Sequence, residues 1–339
     1  MAVTLRDIAD QLNISQALVS RVLNDKPGVW ASEETRRRIF ETAGALNYRP
    51  SHSARALATG RSMQIAVSAA DVDWRVGRSG RQAELRGLID AAAAHHYRVL
   101  VLPSPEHHTD RRQIETLIHA GGCDGILLYA EQAGAELYDF LRQHQMPFIV
   151  LGNPGDDALP QVDYDNHAMM SSSVCWLHEQ GRRRIAWAGT ARGDWKAPFM
   201  QVLLGGYRDA VTSLCGGCDP ALLPEQCASE EEILAFCRGP HAPDAVIVRG
   251  LSSALNWKMT LSLHGIRVRD DIALLAQIDT SELLHLEEGS LRQGLAFLVH
   301  DPHQVGVRAG EALIQWIGGT PPDPQRVLVR GPQPRWFDG

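Results

Sequence analysis

The chain has 339 residues, a formal net charge of −7, 44% hydrophobic residues and 22% charged residues. That length exceeds one ordinary core and implies two or more domains, and the composition is that of a soluble globular protein. No apolar run approaches the roughly 20 residues that span a bilayer, and the start lacks a basic-then-apolar leader, so the expected setting is the cytoplasm with no membrane partner. The charge is divided unevenly. Residues 1–62 hold nine Lys/Arg against six Asp/Glu, which leaves about −10 on the remainder. A basic head on an acidic body is the asymmetry expected when one end alone meets phosphates.

The first elements read as a helix-turn-helix. Leu5, Ile8, Ala9 and Leu12 recur at i, i+3, i+4 and i+7, the stripe of an amphipathic helix, with Thr4 as N-cap and Asp7 at the capping-box position. Asn13-Ile14-Ser15 is of turn length, and the next helix, Gln16 to Asn24, buries Leu18, Val19, Val22 and Leu23. A third helix is expected from Glu33 to about Asn47, capped by Ser32, with Ile39, Ala43 and Leu46 facing inward. Pro50 then opens an Ala/Leu-rich segment ending at Ala58, too short to be a stable helix alone.

From Gln64 the pattern alternates strand and helix. Expected strands are Ile65–Ala69, Tyr97–Leu102, Asp124–Tyr129 and Pro147–Leu151, with helices near 85–92, 114–120 and 135–144. A second set follows, with strands at Arg184–Ala188, Ala245–Val248 and Ile272–Ala276. Its helices lie near 166–179, 205–215, 252–264 and 302–318. Such alternation means parallel sheet covered by helices on both faces. The expected fold is an all-α helix-turn-helix headpiece plus an α/β core of two Rossmann-like lobes, with a ligand cleft outside the carboxyl ends of the strands.

Five motifs in order, Thr4-Leu5-x-Asp7-Ile8-Ala9, Ser15-x-x-x-Val19-Ser20-Arg21-Val22-Leu23-Asn24, Ser32-Glu33-Glu34-Thr35-Arg36, Leu46-Asn47-Tyr48-Arg49-Pro50 and Ala54-Arg55-x-Leu57, give the first sixty residues a marked likeness. This run resembles the DNA-binding headpiece of LacI/GalR-type bacterial transcription regulators. The likeness continues more thinly through Val162-Asp163-Tyr164-Asp165-Asn166 and Gly206-Tyr207-Arg208-Asp209-Ala210. It implies a periplasmic-binding-protein-like core and a homodimer on double-stranded operator DNA. It also implies a headpiece over 1–50, a hinge over 51–62 and a core over 63–339. The implied first lobe is 63–163 with 292–321, and the second is 164–291 with 322–339.

What the resemblance implies about DNA can be weighed chemically. Arg21 can bridge guanine O6 and N7, Gln16 can pair with adenine, and Ala17 offers only a methyl contact to thymine. Ser15, Ser20 and Asn24 suit phosphates, which position without specifying. Thr4 and Leu5 complete the implied headpiece contacts, and Ser51, Ala54 and Leu57 those of the hinge. There Leu57 matches the position that wedges into the minor groove.

The resemblance also implies a small-molecule effector in the cleft, with candidate contacts at Asp71, Trp74, Arg75, Tyr129, Asp165, Trp195, Arg249 and Asp279. Here the chain departs from the pattern. Leu203 replaces an arginine, Gly250-Leu251 an Asn-Asp pair, and Ile278 the first of two carboxylates. A site built to hydrogen-bond hydroxyls loses discrimination when such partners go. The effector is therefore expected to be something other than an ordinary sugar, or its control to be weak or absent. Arg249, Trp195, Trp74 and Arg75 would suit an anionic or aromatic ligand.

Enzymatic readings lack support in the motifs. No Gly-x-Gly-x-x-Gly follows the first strand, and neither a Walker loop nor a Gly-x-Ser-x-Gly elbow occurs. Cys215-Gly-Gly-Cys218, with Cys227 and Cys237 downstream, does not match a two-pair metal knuckle and reads as reduced thiols near a Gly-rich loop. No catalytic residue, metal or cofactor is expected.

Overall fold

The computed structural model describes residues 3–23, 31–49, 60–68, 80–102, 111–131, 133–188, 197–214, 221–223, 229–239, 241–283, 293–323 and 326–337. The chain separates into two compact units, Met1–Ser62 and Met63–Gly339.

In the first unit, α1 (Leu5–Leu12), α2 (Gln16–Leu23) and α3 (Glu33–Ala45) surround a small core. Ile8, Val19, Val22 and Ile39 are fully buried in it, with Ala9 and Ala43 beside them. The capping box at α1 is complete. The Thr4 N–H donates to Asp7 Oδ2 at 2.7 Å, and the Asp7 N–H donates to Thr4 Oγ1 at 3.4 Å. Asn13 ends α1 in the left-handed region at φ 52°, a conformation asparagine tolerates, and so turns the chain toward α2. A core this small leans on its caps. Thr4→Ala is expected to lower headpiece stability by about 1 kcal/mol, seen as faster amide exchange along α1; unchanged exchange would show the cap to be idle.

The second unit holds two six-stranded sheets. The chain runs β1 (Gln64–Ser68), α4 (Gly80–Ala94), β2 (Arg98–Leu102), α5 (Arg111–His119), β3 (Gly125–Tyr129), α6 (Ala135–Gln143), β4 (Phe148–Leu151) and β5 (Gln161–Tyr164). There follow α7 (Asn166–Glu179), β6 (Ile185–Ala188), α8 (Pro198–Leu214), β7 (Ala221–Leu223), α9 (Glu230–Arg238), β8 (Ala245–Arg249), α10 (Leu251–Leu263), β9 (Ala273–Asp279) and α11 (Thr280–Leu283). The last elements are β10 (Leu295–His300), α12 (Pro302–Ile317), β11 (Arg326–Val329) and β12 (Arg335–Trp336).

The first sheet is ordered β2-β1-β3-β4-β5-β11 and is parallel throughout. The second, β7-β6-β8-β9-β10-β12, is parallel except for β12. Gly-Ile-Leu-Leu-Tyr in β3 and Phe-Ile-Val-Leu in β4 are buried at every position, as strands covered on both faces require. Each sheet repeats one doubly wound order, which leaves a crevice at the carboxyl ends where the strand order reverses.

The ladders move two of the expected lobe boundaries. The resemblance implies a first lobe that includes Leu295–His300, but β10 pairs with β9 over six residues and with β12, so it belongs to the second sheet. The chain therefore stays in the second lobe through His300 and crosses at Asp301, whose side chain accepts the His303 N–H and caps α12. Likewise β11 pairs with β5 in the first sheet, so the final crossing falls at 330–334 rather than near 321. The helix expected at 205–215 begins earlier, at Pro198, a residue suited to the first helical turn.

Glycines set how closely the covering helices approach. In the first lobe α4 packs on α12, and a Cβ at Gly306 would stand 1.8 Å from the Glu84 carbonyl oxygen. A Cβ at Gly87 would lie 2.1 Å from the His303 carbonyl oxygen. In the second lobe α7 meets α8 the same way, with a Cβ at Gly206 reaching 2.3 Å from the His167 carbonyl oxygen.

Candidate functional site

Each unit presents one candidate site. On α2, Val19 and Val22 face the core, and the opposite side leaves Gln16, Ala17 and Arg21 exposed, with Ser20 half-buried beside them. Their spacing of one and four residues makes a single stripe. The Ser15 hydroxyl accepts the Leu18 N–H at 3.2 Å and so secures the first turn of α2. Thr4 is exposed and carries the cap of α1, whereas Leu5 is half-buried against the headpiece core. Asn24, Ser51, Ala54 and Leu57 lie outside the described residues.

The second site is a pocket of about 300 Å³ between the two sheets of the core. It gathers the carboxyl ends of strands from both lobes: Tyr129 of β3, Asp163 and Tyr164 of β5, Arg249 of β8, Asp279 of β9 and His300 of β10. Gly80, Arg81 and Glu84, on the first turns of α4, close one side. The lobes approach tightly here, since a Cβ at Gly80 would stand 2.9 Å from Asp279 Oδ2.

The charges in this pocket are mostly engaged. Arg81 pairs with Glu131 and lies over the Tyr129 ring, 4.3 Å from its centroid. Asp163 Oδ2 accepts from Asn166 Nδ2 at 3.0 Å, and its Oδ1 accepts the Tyr164 N–H at 2.8 Å. Asp279 Oδ1 accepts the N–H groups of Ser281 and Glu282 at 2.7 and 3.0 Å, together with the Ser281 hydroxyl. Arg249 stands over the Phe199 ring, 5.6 Å from its centroid, in the fields of Asp163 and Glu282.

Burial reshapes the titrations. Desolvation pushes Glu84 up to about 7, with Arg81 opposing and the charges of Asp163 and Asp279 adding to the rise. It pushes Asp163 up to about 6 against the pull of the Tyr164 N–H and Arg326. His300 is pushed down to about 4 by burial and then by Arg249, so its imidazole stays neutral at physiological pH. Arg249 is lowered from its ordinary value by the same desolvation.

Of the cleft residues expected from sequence, Tyr129, Arg249 and Asp279 do come together. Asp165 does not line the pocket. Its carboxylate accepts the Ala168 N–H at 3.0 Å as the cap of α7, and its other oxygen faces Arg330 at 3.9 Å. Asp71, Trp74, Arg75 and Trp195 lie outside the described residues. Sequence reasoning missed Glu84, Asp163 and His300. The rule that ligands sit at the carboxyl ends of strands would have pointed to the last two. The departures at Leu203, Leu251 and Ile278 gain a physical reason, because all three are buried in the hydrophobic clusters of the second lobe. Of the cysteine pattern, Cys237 is buried, while Cys215, Cys218 and Cys227 lie outside the described residues.

Among the described residues no helix is long and apolar enough to cross a membrane. The model of bacterial regulatory proteins of the lacI family matches residues 4–51, and that of periplasmic binding proteins and the sugar binding domain of the LacI family matches residues 82–330. The HTH-type transcriptional regulator AglR of Rhizobium meliloti (strain 1021) is 29% identical over 346 residues, covering 97% of this chain and 92% of that protein. The lac repressor dimer bound to operator and the anti-inducer ONPF shares the fold, with a TM-score of 0.71 at 20% identity over 98% of this chain and 97% of the other. The complex of the transcriptional regulator CelR with cellobiose does so with a TM-score of 0.61 at 19% identity, over 97% and 98%. The helix-turn-helix, the paired doubly wound sheets and the two family matches agree: the chain belongs to the LacI family and is a DNA-binding transcription regulator.

Proposed function

We propose that the protein is a repressor that binds a palindromic operator as a homodimer and is controlled by a small molecule in the inter-lobe pocket. The observation that carries this reading is the exposed stripe of α2, where Gln16, Ala17 and Arg21 stand opposite the buried Val19 and Val22. A helix of eight residues with that stripe fits a major groove and presents a bidentate donor to guanine and an amide to adenine. Thr4, Ser15, Ser20 and Asn24 serve the backbone, and Ser51, Ala54 and Leu57 enter the minor groove at the centre of the site. The protein is cytoplasmic and performs no catalysis.

Control comes from the pocket, because its walls belong to both lobes and a ligand there biases their relative angle. A second reading, in which the effector is not an ordinary neutral sugar, gains support from the burial of Leu203, Leu251 and Ile278 in apolar clusters. Selection from random duplex DNA tests the output end. Enrichment of a two-fold symmetric site, with half-sites about one helical turn apart, is the expected result. Enrichment without symmetry, or none, would refute the dimeric operator reading.

A further inference from the structure

We infer that the effector is an amine-bearing polyol, a cation held by the carboxylates of Glu84 and Asp163; this rests on reading the inter-lobe pocket as the effector site. The pocket is lined by the carboxylates of Glu84, Glu131, Asp163 and Asp279 against the guanidiniums of Arg81 and Arg249. Arg81 is taken by Glu131, and Arg249 lies in the combined fields of Asp163 and Glu282. Asp163 and Asp279 have hydrogen-bond donors from their own neighbourhoods. Glu84 has none among the described residues, and its carboxylate borders the pocket.

Two of the pocket-lining residues carry unsatisfied polar atoms. Tyr164 Oη and His300 Nδ1 are buried polar atoms without a partner among the described residues, and their rings meet edge-on with centroids 4.8 Å apart. Buried polar atoms are rarely left unpaired unless something else satisfies them. A neutral imidazole and a phenol suit ligand hydroxyls, whereas an unpartnered, desolvated carboxylate suits an ammonium. Among the described residues four carboxylates line the pocket against two guanidiniums, of which Arg81 is ion-paired with Glu131 while Arg249 lies over the Phe199 ring and donates to Met200 Sδ. An anionic ligand, one of the two classes that Arg249, Trp195, Trp74 and Arg75 would suit, would have to be held against that excess of carboxylates.

The proton balance gives the inference a signature. Glu84 titrates near 7 and Asp163 near 6, so both gain protons as pH falls from 7.5 to 5.5, and the attraction for a cation fades. The charges facing Glu84 are those of Arg81, Asp163 and Asp279. His300, near 4, stays neutral through this range.

Calorimetric titration of the full chain with matched sets tests this: glucose, galactose and mannose, their 2-amino counterparts, and their 6-phosphates. The expected result is at least one amino sugar bound tenfold or more tighter than its neutral parent at pH 7.5. That preference should shrink several-fold at pH 5.5 and fall within twofold of unity in Glu84→Gln, whose melting curve reports folding. The pH profile of the unaltered protein does not depend on that variant. A neutral parent or a 6-phosphate bound as tightly as the amine would overturn the cation while leaving the pocket as an effector site. An amine preference that survives both acidification and Glu84→Gln would also overturn it. Binding of none of these sugars would overturn both the cation and the pocket reading.

Discussion

Gly306→Ala is expected to destabilise the core by roughly 3 kcal/mol or more, the upper end of what overpacking costs. The reason is geometric. The new Cβ would lie 1.8 Å from the Glu84 carbonyl oxygen, 2.7 Å from its carbonyl carbon and 3.0 Å from its Cα. Every one of these atoms is backbone, so no rotamer change relieves the clash, and α4 must move away from α12. Alanine's better helix propensity returns about 1 kcal/mol, too little to reverse the sign. In a unit of this size the loss corresponds to a melting temperature roughly 6 to 12 °C lower. Gly205→Ala is the control, because the nearest atom to its Cβ would be His167 Cδ2 at an ordinary 3.8 Å. That variant should melt at the same temperature or slightly higher. Equal behaviour of the two variants in scanning calorimetry would show that the helix pairing is not glycine-limited. Because Glu84 sits on the moving turn of α4, Gly306→Ala should weaken effector binding as well.

Arg21→Ala is expected to cost about 1–3 kcal/mol for each copy of the headpiece on its half-site. Two copies on a palindrome make the loss roughly 30-fold to more than 10⁴-fold in operator affinity. Arg21 is exposed on α2, away from Ile8, Val19, Val22 and Ile39, so the core has no reason to change. Affinity for unrelated duplex DNA should fall much less, because that term comes from phosphate neutralisation and is shared among all the cations of the headpiece. Fluorescence anisotropy at a fixed salt concentration distinguishes the two. A uniform loss on every sequence would make Arg21 a phosphate contact instead of a base reader.

The helix-turn-helix was legible because its information is local. Caps at Thr4 and Ser32, a turn at Asn13 and a periodic apolar stripe each act over four or five residues. The alternation of strands and helices in the core was legible for the same reason, through buried runs such as those of β3 and β4. What escaped was decided by contacts distant in sequence. Six largely apolar residues at Leu295–His300 do not say which sheet they join, and the pairing with β9 and β12 settles it. Glu84 carries no local signal of a site; it lines the pocket on a helix that Gly306, more than two hundred positions later, lets α12 approach closely. Asp165 matched a family motif but was committed locally, as the cap of α7. The losses at Leu203, Leu251 and Ile278 were visible as substitutions, but only their burial shows that these positions became core.

The central claim, that this regulator acts as a dimer reading its operator through α2 and the hinge, is tested most directly by one titration. The palindrome recovered by selection and a scrambled duplex are titrated at equal, near-physiological ionic strength with the full chain and with Leu57→Ala. Specific binding is expected to exceed non-specific binding by 10³-fold or more, with two chains per palindrome. Leu57→Ala should erase most of that ratio while leaving the scrambled duplex bound as before. Equal affinity for the two duplexes, or one chain bound per palindrome, would contradict the account.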